Sequence, residues 1–413
     1  MDRLTPSTLA GRQALFKQHI ARYTRKVLRD IPPAPHLLPD QLATQMLHLL
    51  PYALAQPEAW PDTRRLLRTA ASGMEQAAHW DKWTQQLVSA LTHSRQHDDA
   101  ETEAELLRRL GILYQRRSRF AEARRHLEAS AEAYQRLDHS RGLAQAFNQQ
   151  AYLARLQRRF ADAEQLIERV RGLLVKDDDE RAFSDYVLGL IALDKRQWPE
   201  SVAFSGRAAE LATRTHQPHL VGRSLLCCGV ALERDGNLEE AAEICHRAIK
   251  VFDELGDSYY QAIAQMNLGN VYLSFDQWQV ALGYYYQAKA IFQKAEDWVH
   301  LGHINHNIGI SCRRVKNWQR AEEAYLASID YWQRVDNVER WVNTMDGLGL
   351  TYLEQDKVEQ AGTVFVRALE RLWEIEGQPG YNHWLIEVTA HLAQVSEALQ
   401  KKESHLEDSS PII

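Results

Sequence analysis

Three histidines, His300, His303 and His306, stand three residues apart and form the one ligand-like cluster in the chain. With Cys312 or Asp346 beside them they could be imagined around a metal ion. Steps of three on a helix, however, spread side chains only partly round one face, and such spacings arise by chance on polar helices. The expectation is therefore no metal and no cofactor. The adjacent Cys227 and Cys228 could do redox chemistry, but they sit where a helix passes from core to surface. There they read as small buried apolar residues. No GxxxxGK[ST] phosphate loop, HExxH, GxSxG or CxxC occurs. The chain is expected to hold no catalytic residue and to be no enzyme.

The elements that carry these residues are helices. Of 12 prolines, eight fall at or before Pro61, leaving Pro199, Pro218, Pro379 and Pro411 for the rest, and the whole chain has only 20 glycines. The sequence also repeats with a period of 40. Gly229, Gly269, Gly309 and Gly349 are forty apart, as are Ala241, Ala281, Ala321 and Ala361. Nine residues after each glycine comes Leu238, Trp278, Trp318 or Val358. Gly189 with Trp198, Ala151 with Phe160 and Gly111 with Phe120 extend the register backwards, with one step of 38 near Asp177-Asp178-Asp179-Glu180. That acidic run reads as a solvated loop at a local irregularity.

Each unit reads as a helical hairpin. The first helix puts a large, a small and an aromatic residue on one face (Leu268, Gly269, Tyr272), and the second sets Ala281 and Ala288 two turns apart. A side chain larger than hydrogen at Gly269 would hold the partner helix away. One hairpin cannot cover both of its faces, so neighbours must stack into one continuous core. The predicted fold is an all-α solenoid of antiparallel helix pairs.

The pattern Leu268-Gly269-Asn270-Val271-Tyr272, Trp278, Ala281, Tyr285, Ala288 resembles the tetratricopeptide repeat in its longer, forty-residue form. Kinesin light chains, LGN-like scaffolds and the sensor arrays of bacterial signalling ATPases carry that form. Ala154, Ala192, Leu232 and Cys312 depart from it, standing where the family favours an aromatic. The expected organisation is an N-terminal helical cap over 1–60 and a repeat array over 61–400. Its hairpins fall at about 64–100, 104–140, 144–178, 182–219, 222–258, 262–298, 302–338 and 342–378, with a closing helix at 381–400. Residues 401–413, charged and unpatterned, are expected to be disordered.

The resemblance implies that the all-α solenoid is a right-handed superhelix and that the stripe opposite the core on each first helix lines its concave groove. That stripe offers Asn148, then Tyr186 and Leu190, then Val230, then Asn267 and Asn270, then His303, His306, Asn307 and Arg313, and last Asn343 and Asp346. Its middle is apolar where a solvated face should be polar, and amides flank it, able to donate and accept together. Two readings stand: a groove for a protein or extended peptide, or a face closed by its own curvature. Asn267 and Asn307 match positions from which peptide-binding members contact ligand backbone; the carboxylate-clamp residues are not reproduced.

Residues 7–30 form a predicted amphipathic helix with Phe16, Ile20, Tyr23 and Val27 on one stripe and Lys17, Arg22, Arg25, Lys26 and Arg29 around it. It reads as a cap, or as a basic arm for an acidic partner. With 49 basic against 55 acidic residues, no global field recruits nucleic acid or anionic membrane. No signal-peptide design and no apolar run of membrane-spanning length is found, so a cytoplasmic location is expected. The expected function is a non-catalytic protein- or peptide-binding scaffold. The alternative is a ligand-responsive sensor acting on a separate effector.

Overall fold

Seventeen-residue helices joined by three-residue turns account for the period of forty, since two of each make one unit. The middle turn residue adopts positive φ at Asp98, Ser118, Asp138 and Arg158, and again from Arg196 and His216 through Gly236 and Gly256 to Asp356. Only two of these positions are glycine. The next residue donates its N–H to a carbonyl five residues back, as Arg119 does to Tyr114 (2.9 Å) and Asn317 to Cys312 (2.8 Å), which closes the helix end. That same residue caps the following helix: Asp99, Asp257, Asp297 and Asn337 each accept from the N–H three residues ahead.

In this computed structural model the described residues are 9–32, 38–76, 80–175, 178–378 and 380–408. They form helices and no strand. Before the regular repeats come α1 (Leu9–Asp30), α2 (Asp40–Leu54), α3 (Trp60–Gln76) and α4 (Trp80–Gln96). The repeats follow as pairs: α5 (Ala100–Arg116) with α6 (Phe120–Arg136), α7 (Ser140–Leu156) with α8 (Phe160–Leu173), and α9 (Glu180–Asp194) with α10 (Trp198–Arg214). Next are α11 (Pro218–Asp235) with α12 (Leu238–Glu254), and α13 (Ser258–Ser274) with α14 (Trp278–Lys294). The last pairs are α15 (Trp298–Arg314) with α16 (Trp318–Arg334) and α17 (Val338–Leu353) with α18 (Val358–Leu372), before α19 (Tyr381–Asp408). No described helix is long and apolar enough to cross a membrane. The chain divides into two compact units, one ending at Cys228 and one starting at Gly229, within α11.

The glycine at this register position on six of the first helices sits in tight contact with the partner helix. A Cβ on Gly111, Gly189, Gly229, Gly269, Gly309 or Gly349 would lie 2.4–2.9 Å from the side chain sixteen residues later on the partner helix. Those partners are Leu127, Ser205, Cys245, Tyr285, Tyr325 and Phe365. Separations this short lie inside van der Waals contact, so at these six positions an added methyl would force the facing side chain to shift, whereas α7 carries Ala151 at the same register position.

In the first unit α1 packs on α2 and α3, with Ile20 and Val27 buried. Phe16 stays half exposed and meets Tyr52 edge-on at 6.0 Å. Lys17 and Arg25 pair with Glu58 and Asp62, so part of the basic face is matched within the chain. The expected hairpin over 64–100 takes a different form. α3 packs on α1 and α2 as well as α4, and α4 packs on α2 and α5, its turn into α5 being of the regular kind. Pro33 and Pro35, like Asp177 and Pro379, lie outside the described residues. At the far end the closing helix runs on to Asp408 instead of stopping at 400. Its apolar positions Val388 and Val395 are buried, and Lys402 reaches Asp356 at 2.9 Å. Residues 409–413 are outside the described residues.

The 38-residue step has a local cause. α8 ends three residues early, with Leu174 extended, and α9 starts late at Glu180. An Nη of Arg181 donates to the carbonyls of Arg171 (2.7 Å) and Leu174 (2.8 Å), which α8's missing turn would otherwise have bonded.

Candidate functional site

The stripe opposite the core behaves differently in the two units. In the first, Tyr152, Phe183 and Tyr186 from α7 and α9 pack together with ring centroids 5.8–6.5 Å apart. The Arg223 guanidinium lies over Tyr186 at 4.6 Å and donates to its hydroxyl at 3.0 Å. Leu190 is buried beside them. Asn148 is 1% exposed; its Nδ2 donates to the Glu180 carbonyl (3.0 Å), and its Oδ1 accepts from Ser184 (2.7 Å). Arg155 closes the row with two bonds to Asp194 at 2.5 and 2.9 Å.

Of the two readings of this stripe, the burial of Asn148, Tyr186 and Leu190 favours a face closed by its own packing. Their apolar area and their hydrogen bonds are taken up by neighbouring first helices. A wheel drawn on one helix sees its hairpin partner and misses the helix forty residues away, which covers the opposite side.

In the second unit the stripe is half-buried and polar. Val230 is half-buried on α11. On α13, Asn270 accepts through Oδ1 from the Tyr285 hydroxyl (2.9 Å) and from Nδ2 of Asn307 on α15 (2.8 Å). His306 meets Thr344 on α17 at 3.2 Å, and Arg313 pairs with Glu354. Asp346 is buried and bonded to His391 Nδ1 of α19 at 2.6 Å. Asn270, Asn307, His306, Arg313 and Asp346 thus tie successive first helices together, and their orientation away from the core does not leave them unpaired. Thr344 and His391, partners in that ladder, were not singled out from the sequence, because nothing local marks them.

Asn267, His303 and Asn343 differ. None has a hydrogen-bond partner among the described residues. Asn267 is 9% exposed, while His303 and Asn343 are half-buried at equivalent positions of adjacent repeats. The His303 ring stands edge-on to Trp332 at 4.8 Å. Burial, reinforced by the Arg340 charge, pushes the His303 imidazole down to about 3. Burial, with Arg340 and Arg313, brings His306 down to about 4. Both rings are neutral at pH 7.

The three histidines do not converge. His300 bonds to Asp297 at 2.8 Å and stacks on Phe292 at 4.6 Å, while the other two face Trp332 and Thr344. Among the described residues no group of three or more His, Cys, Asp and Glu could share an ion. Cys227 is buried near Ser201 (3.7 Å), and burial raises its thiol.

Stacked helical hairpins, with polar side chains bonded between successive first helices, define a helical repeat protein. Residues 102–174 and 220–294 match the family model for the tetratricopeptide repeat, and over those residues the chain carries that repeat. No curated protein matches in sequence. Among solved structures, the chain is similar to a signal transduction ATPase with numerous domains, bearing a tetratricopeptide repeat sensor, from Pyrococcus horikoshii. That match has 12% identity and a TM-score of 0.61, covering 86% of this chain and 53% of that one. The chain thus spans about half the length of that protein. It is also similar to aspartyl phosphate phosphatase F from Bacillus subtilis (13% identity, TM-score 0.53, 81% and 95% covered). A third likeness is to the quorum sensor NprR from B. thuringiensis (14%, 0.51, 67% and 81%). At these identities the likeness is one of fold.

Proposed function

We propose that the second unit is a non-catalytic binding module for an extended segment of protein or peptide, held along the first helices α13, α15 and α17. The observation that carries this is the set of unpaired side chains Asn267, His303 and Asn343 on a half-buried stripe whose other polar groups are bonded. An amide both donates and accepts, as a peptide backbone does, and a neutral imidazole does the same through its two nitrogens. Groups of this kind left unpaired by the fold are what backbone recognition needs. The apolar row of the first unit is not part of this reading.

A sensor acting on a separate effector is the second reading. It is favoured by the sensor array of the Pyrococcus protein and by the quorum sensor among the similar folds. The two share the binding step and differ in whether binding changes what a partner does.

A photo-crosslinking residue placed at His303 tests the binding surface. Peptides selected from a random library on the full chain should crosslink there and not from Leu326, which is half exposed on the second helix α16. Crosslinking from Leu326 alone would place the binding surface elsewhere.

A further inference from the structure

The irregular step in the first unit opens a cavity. Where α8 stops short, a space of about 430 Å³ lies between α8, α9 and α10. Another groove of the same unit, between α6, α7 and α8 at their other ends, holds about 260 Å³. The earlier groove is lined by Arg124, Arg159 and Arg169 against Glu128 and Asp162. Each of those arginines is engaged: Arg159 with Asp162 (2.8 Å), Arg124 with Gln157 (2.9 Å), and Arg169 over the Phe147 ring (3.8 Å).

The larger cavity is lined by Arg171, Arg181, Arg207 and Arg214 against only Asp185 and Glu210. Asp185 is approached by Arg171 at 3.6 Å and by Arg207 at 3.7 Å, both beyond hydrogen-bond reach. Arg171 has a closer partner in Glu168 (2.6 Å), which is not part of the lining. Arg181 caps the shortened helix through one nitrogen, yet its Nε is buried with no acceptor. A buried guanidinium N–H without an acceptor is costly, and an anion in the cavity would supply one.

We infer that this cavity is a binding site for a small phosphate monoester. Guanidinium groups converge on it from three helices, which suits a tetrahedral dianion whose oxygens point several ways. A planar carboxylate presents one edge and would engage fewer of them. The volume exceeds what bare phosphate fills. Asp185 and Glu210 would accept hydrogen bonds from hydroxyl or amino groups on the rest of the ligand. The site owes nothing to the stripe of the second unit, so either can fail alone.

Calorimetric titration of the full chain with inorganic phosphate, ribose 5-phosphate and adenosine 5′-monophosphate tests it. The expected result is saturable one-to-one binding of at least one monoester, tighter than inorganic phosphate. Arg207→Gln should weaken it at least tenfold while the melting midpoint of the unliganded protein stays put, since Arg207 is exposed at the rim. Arg181→Gln should weaken it too, with some loss of stability from the uncapped α8. Arg124→Gln, in the ordinary groove, should change nothing. The inference is overturned if no monoester binds at low millimolar concentration, or if Arg207→Gln and Arg124→Gln behave alike. It is overturned as well if a phosphoserine peptide binds more tightly than any small monoester.

Discussion

Tyr325 is held between two glycines, and that arrangement sets a sharp test of how the hairpins pack. Its ring is fully buried. A Cβ at Gly309 would lie 2.7 Å from the ring's Cδ1 and Cε1, and one at Gly347 would lie 2.8 Å from Cε1. Ordinary carbon contacts need about 3.5–4.0 Å, so an added methyl forces a retreat of roughly 1 Å. From Gly309→Ala the ring must move toward Gly347, and the reverse holds for the other variant. Overpacking of this kind costs about 1–3 kcal/mol. Alanine recovers about 1 kcal/mol through helix propensity, leaving a net loss on the order of 1 kcal/mol for each single variant. The double variant removes both directions of retreat, so its loss should exceed the sum of the singles. Gly283, on α14 with open space around it, is the control: Gly283→Ala should gain about 0.5–1 kcal/mol. Urea unfolding followed by far-UV circular dichroism reads all four proteins. Gly309→Ala as stable as Gly283→Ala, or a double variant no worse than the sum, would refute the packing argument.

Acid should destabilise the second unit first. His303 and His306 have folded-state values of about 3 and 4, below the 6.5 of a free imidazole. The unfolded chain therefore takes up more protons, and stability present above pH 6.5 drains away as pH falls toward 4, by up to about 3 kcal/mol for His306. Asp346, raised by burial, opposes this only near the carboxylate range. His306→Gln should lower the acid midpoint of unfolding. In the first unit burial would raise Glu105, but Arg108 and Arg109 outweigh it and hold the carboxyl at about 2, so its contribution is lost only between about pH 4.5 and 2. Arg109 bridges Glu75 (3.0 Å) and Glu105 (2.7 Å). Arg109→Met should cost about 3–5 kcal/mol in a melt by leaving buried carboxylates facing each other, and Glu105→Gln in the same chain should recover part of it. Asn307→Ala breaks the bond to Asn270 and should cost about 1 kcal/mol, whereas Asn267→Ala should leave the midpoint nearly unchanged.

The repeat was legible because its demand for a small residue recurs at one register position of every hairpin. Six glycines face six side chains sixteen residues on, and any larger residue there would push the facing side chain aside. The turns were less legible. Their positive-φ position is held by Asp, Ser, Arg, His, Glu and Lys as readily as by Gly, because backbone hydrogen bonds across the turn outweigh the side-chain penalty. The stripe was legible in place but not in state. Asn267 and Asn307 both read as groove amides in the sequence, yet Asn307 bonds to Asn270 of the preceding first helix and Asn267 has no partner among the described residues. What decides it is the residue that the neighbouring first helix presents, a long-range fact that no local pattern carries. The arginine cavity had only the 38-residue spacing as a signal, and a missing helical turn leaves no residue to read.

The binding claim rests most directly on the affinity of a library-selected peptide for wild-type chain and for Asn267→Ala/Asn343→Ala. Losing two amide partners should weaken binding at least tenfold, at about 1–3 kcal/mol for each unpaired group, with the melting midpoint unmoved. Equal affinity in the two proteins, or a variant that unfolds early yet binds as well when folded, would contradict the account.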